Sequence, residues 1–195
     1  MATTTLLLVG VGGQGIVLVS NILAKGLVEA GCDVKMSEIH GMSQRGGSVS
    51  TQIRFGEEVF SPIIGEGEAD VIVAFEKMEA LRYLKFLKKN GKVIVNNEEL
   101  SPLPVLAGRV TYPKNVLDVL KSKAATCVIN ATQIARELGN ERVANVVLFG
   151  ALAKILNIDN IDWKDVIERT VKKDFIAINK KAFDRGHELG GTLWS

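Results

Sequence analysis

The stretch Gly10-Val11-Gly12-Gly13-Gln14-Gly15 decides how the chain begins to fold. It follows the apolar run Thr5-Leu6-Leu7-Leu8-Val9 and opens onto Ile16-Val17-Leu18-Val19. Glycines 10, 12 and 15 have the GxGxxG spacing that joins a buried strand to the N-terminus of a helix. The spacing raises one question: the turn either binds a dinucleotide or keeps the same backbone shape for another purpose.

The segments on either side of the turn predict a strand, a helix and a second strand. We expect a buried strand over residues 4–9 and a helix from Ile16 to Ala30, which Gly31 ends in a left-handed conformation. The run from Val34 to Ile39 then forms the second strand. The three elements make a strand–helix–strand unit.

The rest of the chain continues in strand and helix patterns. Ser48 to Phe55 alternates in polarity, which predicts a half-exposed strand that turns at Gly56-Glu57 into a short antiparallel partner around Val59-Phe60. The further expected elements are a buried strand over 69–75, a helix carrying Met78, Leu81, Leu84 and Leu87, strands over 92–96 and 109–112, helices near 114–123 and 131–139, a helix over 142–157 that is apolar almost all round, and a final helix capped by Asp162. Together they predict one α/β domain over residues 1–195, with a Rossmann-like, mostly parallel sheet, flanking helices, an antiparallel hairpin insertion and a helical C-terminal part.

Composition and charge argue against several classes of protein. Lys and Arg number 24 against 22 Asp and Glu, so the formal net charge of +2 gives nucleic-acid binding no support. The longest apolar run, Val146 to Ala153, is too short to span a bilayer, and we expect no membrane association. Cys32 and Cys127 lie far apart and in no CxxC pattern. We therefore expect no disulfide framework, zinc site or iron–sulfur cluster held by this chain alone, and a cytoplasmic location.

A dinucleotide site also requires an acidic residue near the end of the second strand, where it holds the ribose hydroxyls. Glu38 lies 23 residues after Gly15, in about that position. It is followed almost at once by a polar loop from His40 to Ser48, which has no counterpart in simple dinucleotide folds. A stand-alone NAD(P)- or nucleotide-binding protein therefore stays open as the alternative hypothesis.

The polar loop itself has the composition of an anion site. Arg45 is flanked by glycines and serines, and a guanidinium can converge with backbone N–H groups on a phosphate or carboxylate. The candidate cofactor-binding residues are Gly10, Gly12, Gly13, Gln14, Gly15, Ser43, Gln44, Arg45, Gly46, Gly47 and Ser48. A loop that only packs against a partner chain explains the second half of this set equally well.

The sequence contains no self-contained catalytic constellation. His40 and His187 are the only histidines, and we expect His40 to form hydrogen bonds within the loop and His187 to be solvated. No GxSxG occurs, and neither cysteine has a histidine close by in sequence. We therefore predict no catalytic and no metal-binding residue in this chain.

Three stretches taken together resemble a known family. The glycine turn, the loop His40-Gly41-Met42-Ser43-Gln44-Arg45-Gly46-Gly47-Ser48-Val49 and the strand Ala69-Asp70-Val71-Ile72-Val73-Ala74-Phe75-Glu76 are similar to the gamma subunit or domain of 2-oxoacid:ferredoxin oxidoreductases. Within that family the loop most resembles the small beta subunits of indolepyruvate ferredoxin oxidoreductases. Asn145 to Lys154 resembles the late buried helix of the family, so the resemblance covers nearly the whole chain.

The resemblance implies a role in the oxidative decarboxylation of a 2-oxoacid, with indolepyruvate or another aryl pyruvate as the expected substrate. It implies that electrons pass to ferredoxin and that coenzyme A takes the acyl group. Thiamine diphosphate, magnesium and iron–sulfur clusters are expected on a larger alpha subunit, because this chain has no GDG sequence and only two cysteines. A hetero-oligomer follows, in which the small chain alone is colourless and inactive. The glycine turn and the Arg45 loop would then hold a phosphate-bearing part of coenzyme A or contact the partner, and pyruvate or a branched-chain 2-oxoacid stays open as the substrate.

Overall fold

The structure is a computed structural model that describes residues 2–41, 47–158 and 160–192. Within these residues, six strands form one sheet and eight α-helices surround it. The strands are β1 (Thr4–Val11), β2 (Asp33–His40), β3 (Ser48–Gly56), β4 (Ala69–Ala74), β5 (Leu87–Asn96) and β6 (Ala125–Ile129). The helices are α1 (Ile16–Glu29), α2 (Lys77–Tyr83), α3 (Leu103–Leu106), α4 (Val116–Lys123), α5 (Ala131–Glu137), α6 (Ala144–Leu156), α7 (Trp163–Thr170) and α8 (Ile176–Thr192).

The sheet has the order β2-β3-β1-β4-β5-β6 and is mostly parallel. Strands β1, β4, β5 and β6 run parallel to one another, whereas β3 is antiparallel to both β1 and β2. The α/β class with an antiparallel insertion is therefore confirmed. The first strand–helix–strand unit differs from expectation, because β3 lies between β1 and β2 and separates them.

The surroundings of β3 correct two predictions. The strand is buried on both faces rather than half-exposed, and residues around Val59-Phe60 form no strand. Its antiparallel partners are β1 and β2, which occupy both of its edges. Alternating polarity misled the prediction because the polar residues Ser50, Thr51 and Gln52 are buried as well; the side-chain oxygen of Gln52, for example, accepts from the Ile64 N–H at 2.8 Å.

Helices cover both faces of the sheet, so the core has two halves. On one face, Leu6, Leu8 and Val73 pack with α1, α6 and the C-terminal helices. On the other face, Leu7, Val9 and the remaining inward residues pack against α2 and α4. Successive residues of a strand point to opposite faces, which is why the continuous apolar runs of β1 and β4 are needed to fill both halves.

The middle of the chain contains one strand that the sequence did not predict. Residues 125–129 form β6 at the edge of the sheet, whereas the predicted strand over 109–112 is irregular. The helix expected to include Leu87 ends at Tyr83, and a 3₁₀ turn leads to β5, which begins at Leu87.

The C-terminal part is helical, as expected, with one break. The helix α6 is buried along residues 145–153, which confirms the prediction from its all-round apolar sequence. Asp162 caps α7 by accepting from the N–H groups of Lys164 and Asp165, both at 3.1 Å. The predicted single last helix is in fact α7 and α8, since Val171 is extended and a 3₁₀ turn follows it. In the part of the chain that is described, no helix is long and apolar enough to cross a bilayer.

Candidate functional site

The glycine turn lies where the direction of the sheet connections reverses. From β1 the chain crosses to β2 on one side, and from β4 it crosses to β5 on the other. Ligands of open α/β sheets bind in the crevice at such a switch point, beyond the carboxyl ends of the strands. The loops after β1, β4, β5 and β6 therefore form the candidate site.

Gln14 holds the turn to the neighbouring strand. Its side-chain oxygen accepts from the Val11 N–H at 2.8 Å, and its Nε2 donates to the carbonyl oxygen of Phe75 at 2.9 Å. One side chain thus joins the ends of β1 and β4. The oxygen and the nitrogen of the Gln14 side-chain amide each form a hydrogen bond with a backbone group, so Gln14 fixes the shape of the turn.

The glycines of the turn meet different structural requirements. Gly13 and Gly15 have φ angles of +97° and +76°, which favour glycine. Gly10 lies within β1 rather than in the turn, and a Cβ there would lie 2.9 Å from the Cβ of Phe75. A Cβ on Gly15 would overlap the side-chain amide of Asn145, so Gly15 allows close contact with α6 and not with a strand.

The glycine turn meets the end of the β2–β3 loop. The Gly12 N–H donates to the carbonyl oxygen of Gly47 at 3.0 Å, and Ser48 pairs with Val11 in the sheet. The Gly41 N–H donates to the Ser48 carbonyl oxygen at 2.8 Å and closes the base of the loop. The two predicted stretches are therefore adjacent. Four of the predicted residues, Ser43, Gln44, Arg45 and Gly46, lie outside the described residues.

A buried carboxyl group that the sequence did not single out anchors this loop. The hydroxyl of Ser48 donates to Glu79 of α2, and the Tyr83 hydroxyl lies 3.4 Å from the same Ser48 oxygen. Glu79 is only 4% exposed. Burial raises the pKa of its carboxyl, against the Ser48 hydrogen bond and the Arg82 guanidinium, which lies 3.5 Å away. A single glutamate in a short helix has no sequence pattern that would indicate a buried carboxyl group bonded to Ser48.

A second buried carboxyl group, Glu76, follows β4. It caps α2 by accepting from the Glu79 N–H at 3.0 Å, and it accepts from the Tyr112 hydroxyl at 2.5 Å and the Leu100 N–H at 3.4 Å. Burial, followed by this hydrogen bond to Glu76, raises the pKa of Tyr112 well above its usual value. Glu76 thus ties the segment after β5 to the end of β4.

Two cavities open on this edge of the sheet. A cleft of about 570 Å³ next to the N-terminus of α1 is lined by Gly13, Gly15, Arg136, Arg142 and Asn145, among others. Asn145 closes its base, because its Nδ2 donates to the Gly15 carbonyl oxygen at 3.1 Å. The unpaired N–H groups and positive dipole end of a helix favour an anion in such a place.

The second cavity, of about 320 Å³, lies between the glycine turn and the segment after β5. Val11, Ser48 and Glu79 line one side, and Leu100 and Val110 line the other. This cavity is mostly apolar with a buried acid at its base. The two cavities share the carboxyl edge of the sheet.

The geometry does not favour the dinucleotide hypothesis. Glu38 lies on β2, and the insertion of β3 puts β2 two strand positions, or roughly 10 Å, from β1. Its carboxylate accepts from Ser20 at 3.4 Å and lies 3.6 Å from the His40 imidazole. The residue that would hold a ribose is therefore displaced from the glycine turn.

The two histidines differ in part from expectation. His40 ends β2 rather than lying within the loop, and it faces Glu38. His187 lies in α8, and its ring stacks on Phe183 with centroids 5.6 Å apart, so it is a half-buried packing residue and not a solvated one.

The potential metal ligands among the described residues do not fit a metal centre or cluster. Among the described residues no group of three or more His, Cys, Asp or Glu side chains is placed to hold a metal ion. Cys32 precedes β2 and Cys127 lies in β6, at opposite edges of the sheet and about 24 Å apart across five strand spacings. Burial raises the pKa of the Cys127 thiol to about 11, which disfavours the thiolate that ligation requires.

The fold and the glycine turn place the chain among α/β proteins with a Rossmann-like first crossover, and comparisons with known proteins narrow the class. The family model for pyruvate ferredoxin/flavodoxin oxidoreductase matches residues 5–189. The chain is 40% identical over 194 residues to the indolepyruvate oxidoreductase subunit IorB of Thermococcus kodakarensis. The match covers 95% of each of the two chains. The protein therefore belongs to the pyruvate ferredoxin/flavodoxin oxidoreductase family.

Solved structures confirm the fold. The gamma subunit of a keto/oxoacid ferredoxin oxidoreductase from Geobacter sulfurreducens has a TM-score of 0.70 and 22% identity, covering 97% of this chain and 99% of that one. The 2-oxoglutarate:ferredoxin oxidoreductase of Magnetococcus marinus, solved with 2-oxoglutarate, coenzyme A and succinyl-CoA bound, has a TM-score of 0.76 and 21% identity. This match covers 98% of the present chain and 32% of the longer Magnetococcus marinus chain.

Proposed function

We propose that this chain is the small subunit of a heteromeric 2-oxoacid:ferredoxin oxidoreductase that acts on indolepyruvate or a related aryl pyruvate. The observation that carries the proposal is the similarity to an indolepyruvate oxidoreductase subunit, which extends over 95% of both chains at 40% identity. The junction of Gly12 with Gly47 supports it, because both family-like stretches meet at one edge of the sheet.

The proposal divides the work between two chains. A larger alpha subunit holds thiamine diphosphate, magnesium and the iron–sulfur clusters, since each cluster needs about four cysteines and this chain has two in separate places. Thiamine diphosphate supplies the carbanion chemistry that decarboxylates the 2-oxoacid, and the clusters carry the electrons to ferredoxin. This chain contributes binding and positioning, and it is inactive alone.

Coenzyme A is the ligand we propose for the carboxyl edge. Its phosphates are anions, and the N-terminus of α1 with the arginines of the 570 Å³ cleft offers N–H donors and positive charge. Arg45 belongs to the loop whose base is closed at Gly41 and Ser48, beside the glycine turn. The glycine turn thus serves a phosphate-bearing cosubstrate rather than a nicotinamide.

A calorimetric titration of the assembled complex with coenzyme A tests the ligand. Losing one charge-assisted phosphate contact in Arg45→Ala weakens binding by about tenfold. The matched control is Arg185→Ala, which removes an exposed arginine of α8 that pairs with Glu188 and lies far along the chain from the turn. Equal coenzyme A affinity in wild type and Arg45→Ala would contradict this assignment.

Purification of the tagged chain from its native anaerobic extract tests the partner and the reaction. We expect a brown complex with a larger subunit that contains iron and reduces ferredoxin with indolepyruvate and coenzyme A. A colourless lone chain that binds NAD(H) tightly, and loses that binding in Gly12→Val, would instead support the nucleotide-binding alternative. Trials of pyruvate and branched-chain 2-oxoacids in the same assay decide the substrate, which the larger chain selects under this proposal.

A further inference from the structure

One surface segment of the molecule is apolar and exposed although hydrogen bonds hold part of its backbone in a helical turn. We define the apolar ridge as residues 100–113, which follow β5 and include α3. From Ser101 to Pro113 the sequence SPLPVLAGRVTYP contains one charged residue, Arg109. Leu103 is 80% exposed and Leu106 is 72% exposed, and Val110 is also exposed. Large apolar side chains that are exposed this close together in sequence favour an interaction site.

The ridge is held in place and has not collapsed onto the core. A helical turn fixes its centre, because the N–H groups of Leu106 and Ala107 donate to Pro102 and Leu103 at 3.1 and 2.9 Å, and Gly108 ends the turn at a φ of +69°. Both of its ends bond Glu76, through the Leu100 N–H and the Tyr112 hydroxyl. The leucines are therefore presented to solvent by a preorganised backbone, which lowers the entropic cost of binding.

The ridge shares an edge of the sheet with the candidate coenzyme A site. The 320 Å³ cavity separates the two, with Val11 and Ser48 on one wall and the ridge on the other. A second exposed apolar pair, Phe60 and Ile63, lies after β3, whose last residues pair with the first residues of β1. That pair is therefore at the opposite edge of the sheet.

We infer that the apolar ridge is the docking surface for the larger, thiamine diphosphate-bearing subunit. The inference rests on the proposed function: the acyl group forms on the larger chain and leaves on coenzyme A, so the larger chain must cover the edge that holds coenzyme A. The ridge presents two strongly exposed leucines, Leu103 and Leu106, on that edge. In the Magnetococcus marinus enzyme, a fold like this one makes up 32% of a longer chain. In that protein it is therefore joined covalently to the other parts of the chain.

Co-expression with the tagged larger subunit of the same complex tests the inference. Leu103→Asp/Leu106→Asp places two charges on the ridge, and Phe60→Asp is the matched control, since Phe60 is 86% exposed at the opposite edge. All three side chains are exposed, so equal unfolding temperatures of the isolated chains check that folding is unaffected. The measurement is the amount of small chain that co-purifies per larger chain.

We expect the ridge variant to co-purify at least about tenfold less than wild type and Phe60→Asp to stay close to wild type. Backbone amides of residues 105–109 should also exchange more slowly in the wild-type complex than in the free chain. Wild-type levels for the ridge variant, or an equal loss in Phe60→Asp, would overturn the inference and leave the proposed function standing. Failure of the wild-type chain to bind the larger subunit would overturn both.

Discussion

At the scale of single residues, Gly15 combines a backbone and a packing requirement. Its φ of +76° disfavours any L side chain, and a Cβ would also overlap the Asn145 amide. Gly13 has the same backbone requirement at +97° but has open space around it. Substitution of Gly13 therefore measures the conformational strain alone, whereas substitution of Gly15 measures the strain together with the contact with α6.

We expect Gly15→Ala to lower the free energy of unfolding by about 2–4 kcal/mol and Gly13→Ala by about 1 kcal/mol. The difference arises because the first variant must also displace Asn145 from its hydrogen bond to the Gly15 carbonyl oxygen. Denaturant unfolding of both variants, with unchanged m-values, measures it. Equal losses would show that the overlap with Asn145 is relieved without cost.

Glu79 predicts how stability depends on pH. Burial raises the pKa of its carboxyl above 4.5, so the folded state binds this proton more tightly than the unfolded state. This contribution is fully present below the unfolded pKa and is lost as pH rises through the folded pKa. Glu79→Gln cannot titrate and should gain stability relative to wild type as pH rises through that window. Denaturant unfolding at several values from about pH 4 to 8 measures the difference; a difference that does not change with pH contradicts the assignment.

At the scale of elements, the crossing of α6 and α8 depends on two glycines. A Cβ on Gly186 would overlap the carbonyl oxygen of Val147, and a Cβ on Gly150 would overlap that of Phe183. The two helix backbones are therefore in direct contact. This contact buries α6 in the core and places Asn145 beside the glycine turn.

We expect Gly186→Ala to destabilise the protein by about 2–3 kcal/mol, because the helices must separate in a close-packed core. Gly191→Ala, later in α8, is the control: its Cβ would lie 3.4 Å from the Cε of Lys154, at the end of a flexible side chain. Since alanine has the higher helix propensity, that variant should be neutral or slightly more stable. Thermal unfolding compares the two, and a stable Gly186→Ala would contradict the close crossing.

The sequence predicts correctly those elements whose apolar composition indicates that they are buried. The strands β1 and β4 and the helix α6 are apolar along most of their length, and each lies in the core as predicted. Alternation misled the prediction for β3, because polar residues of this strand are buried along with the apolar ones, and the side-chain oxygen of Gln52 accepts from the Ile64 N–H. The strand β6 is only five residues long, which is too short for its sequence pattern to identify a strand.

The candidate site was predictable only in part, for a similar reason. The Gly12 and Gly47 stretches were singled out by composition, and they are adjacent because β3 pairs with β1. Glu76 and Glu79 were not identified, since a glutamate near the start of a helix resembles any solvated residue. Their burial includes contacts with residues distant in sequence, namely Tyr112 of the ridge on Glu76 and Ser48 at the start of β3 on Glu79.

At the scale of the whole molecule, the sheet leaves little surface for a partner on its faces. Helices cover both faces, which leaves the edges where the strands end as the open parts of the sheet. The carboxyl edge carries the glycine turn, the base of the Arg45 loop, two cavities and the apolar ridge. A subunit that positions a cosubstrate against a larger partner needs these features together.

The central claim is that this chain is a required subunit of a 2-oxoacid:ferredoxin oxidoreductase, and its most direct test is an add-back assay. The larger subunit, purified anaerobically without this chain, is assayed for coenzyme A-dependent reduction of ferredoxin by indolepyruvate, and this chain is then added. We predict negligible activity from either chain alone and activity that rises with added chain until the two are equimolar. Full activity of the larger subunit alone, or no change when this chain is added, would contradict the account.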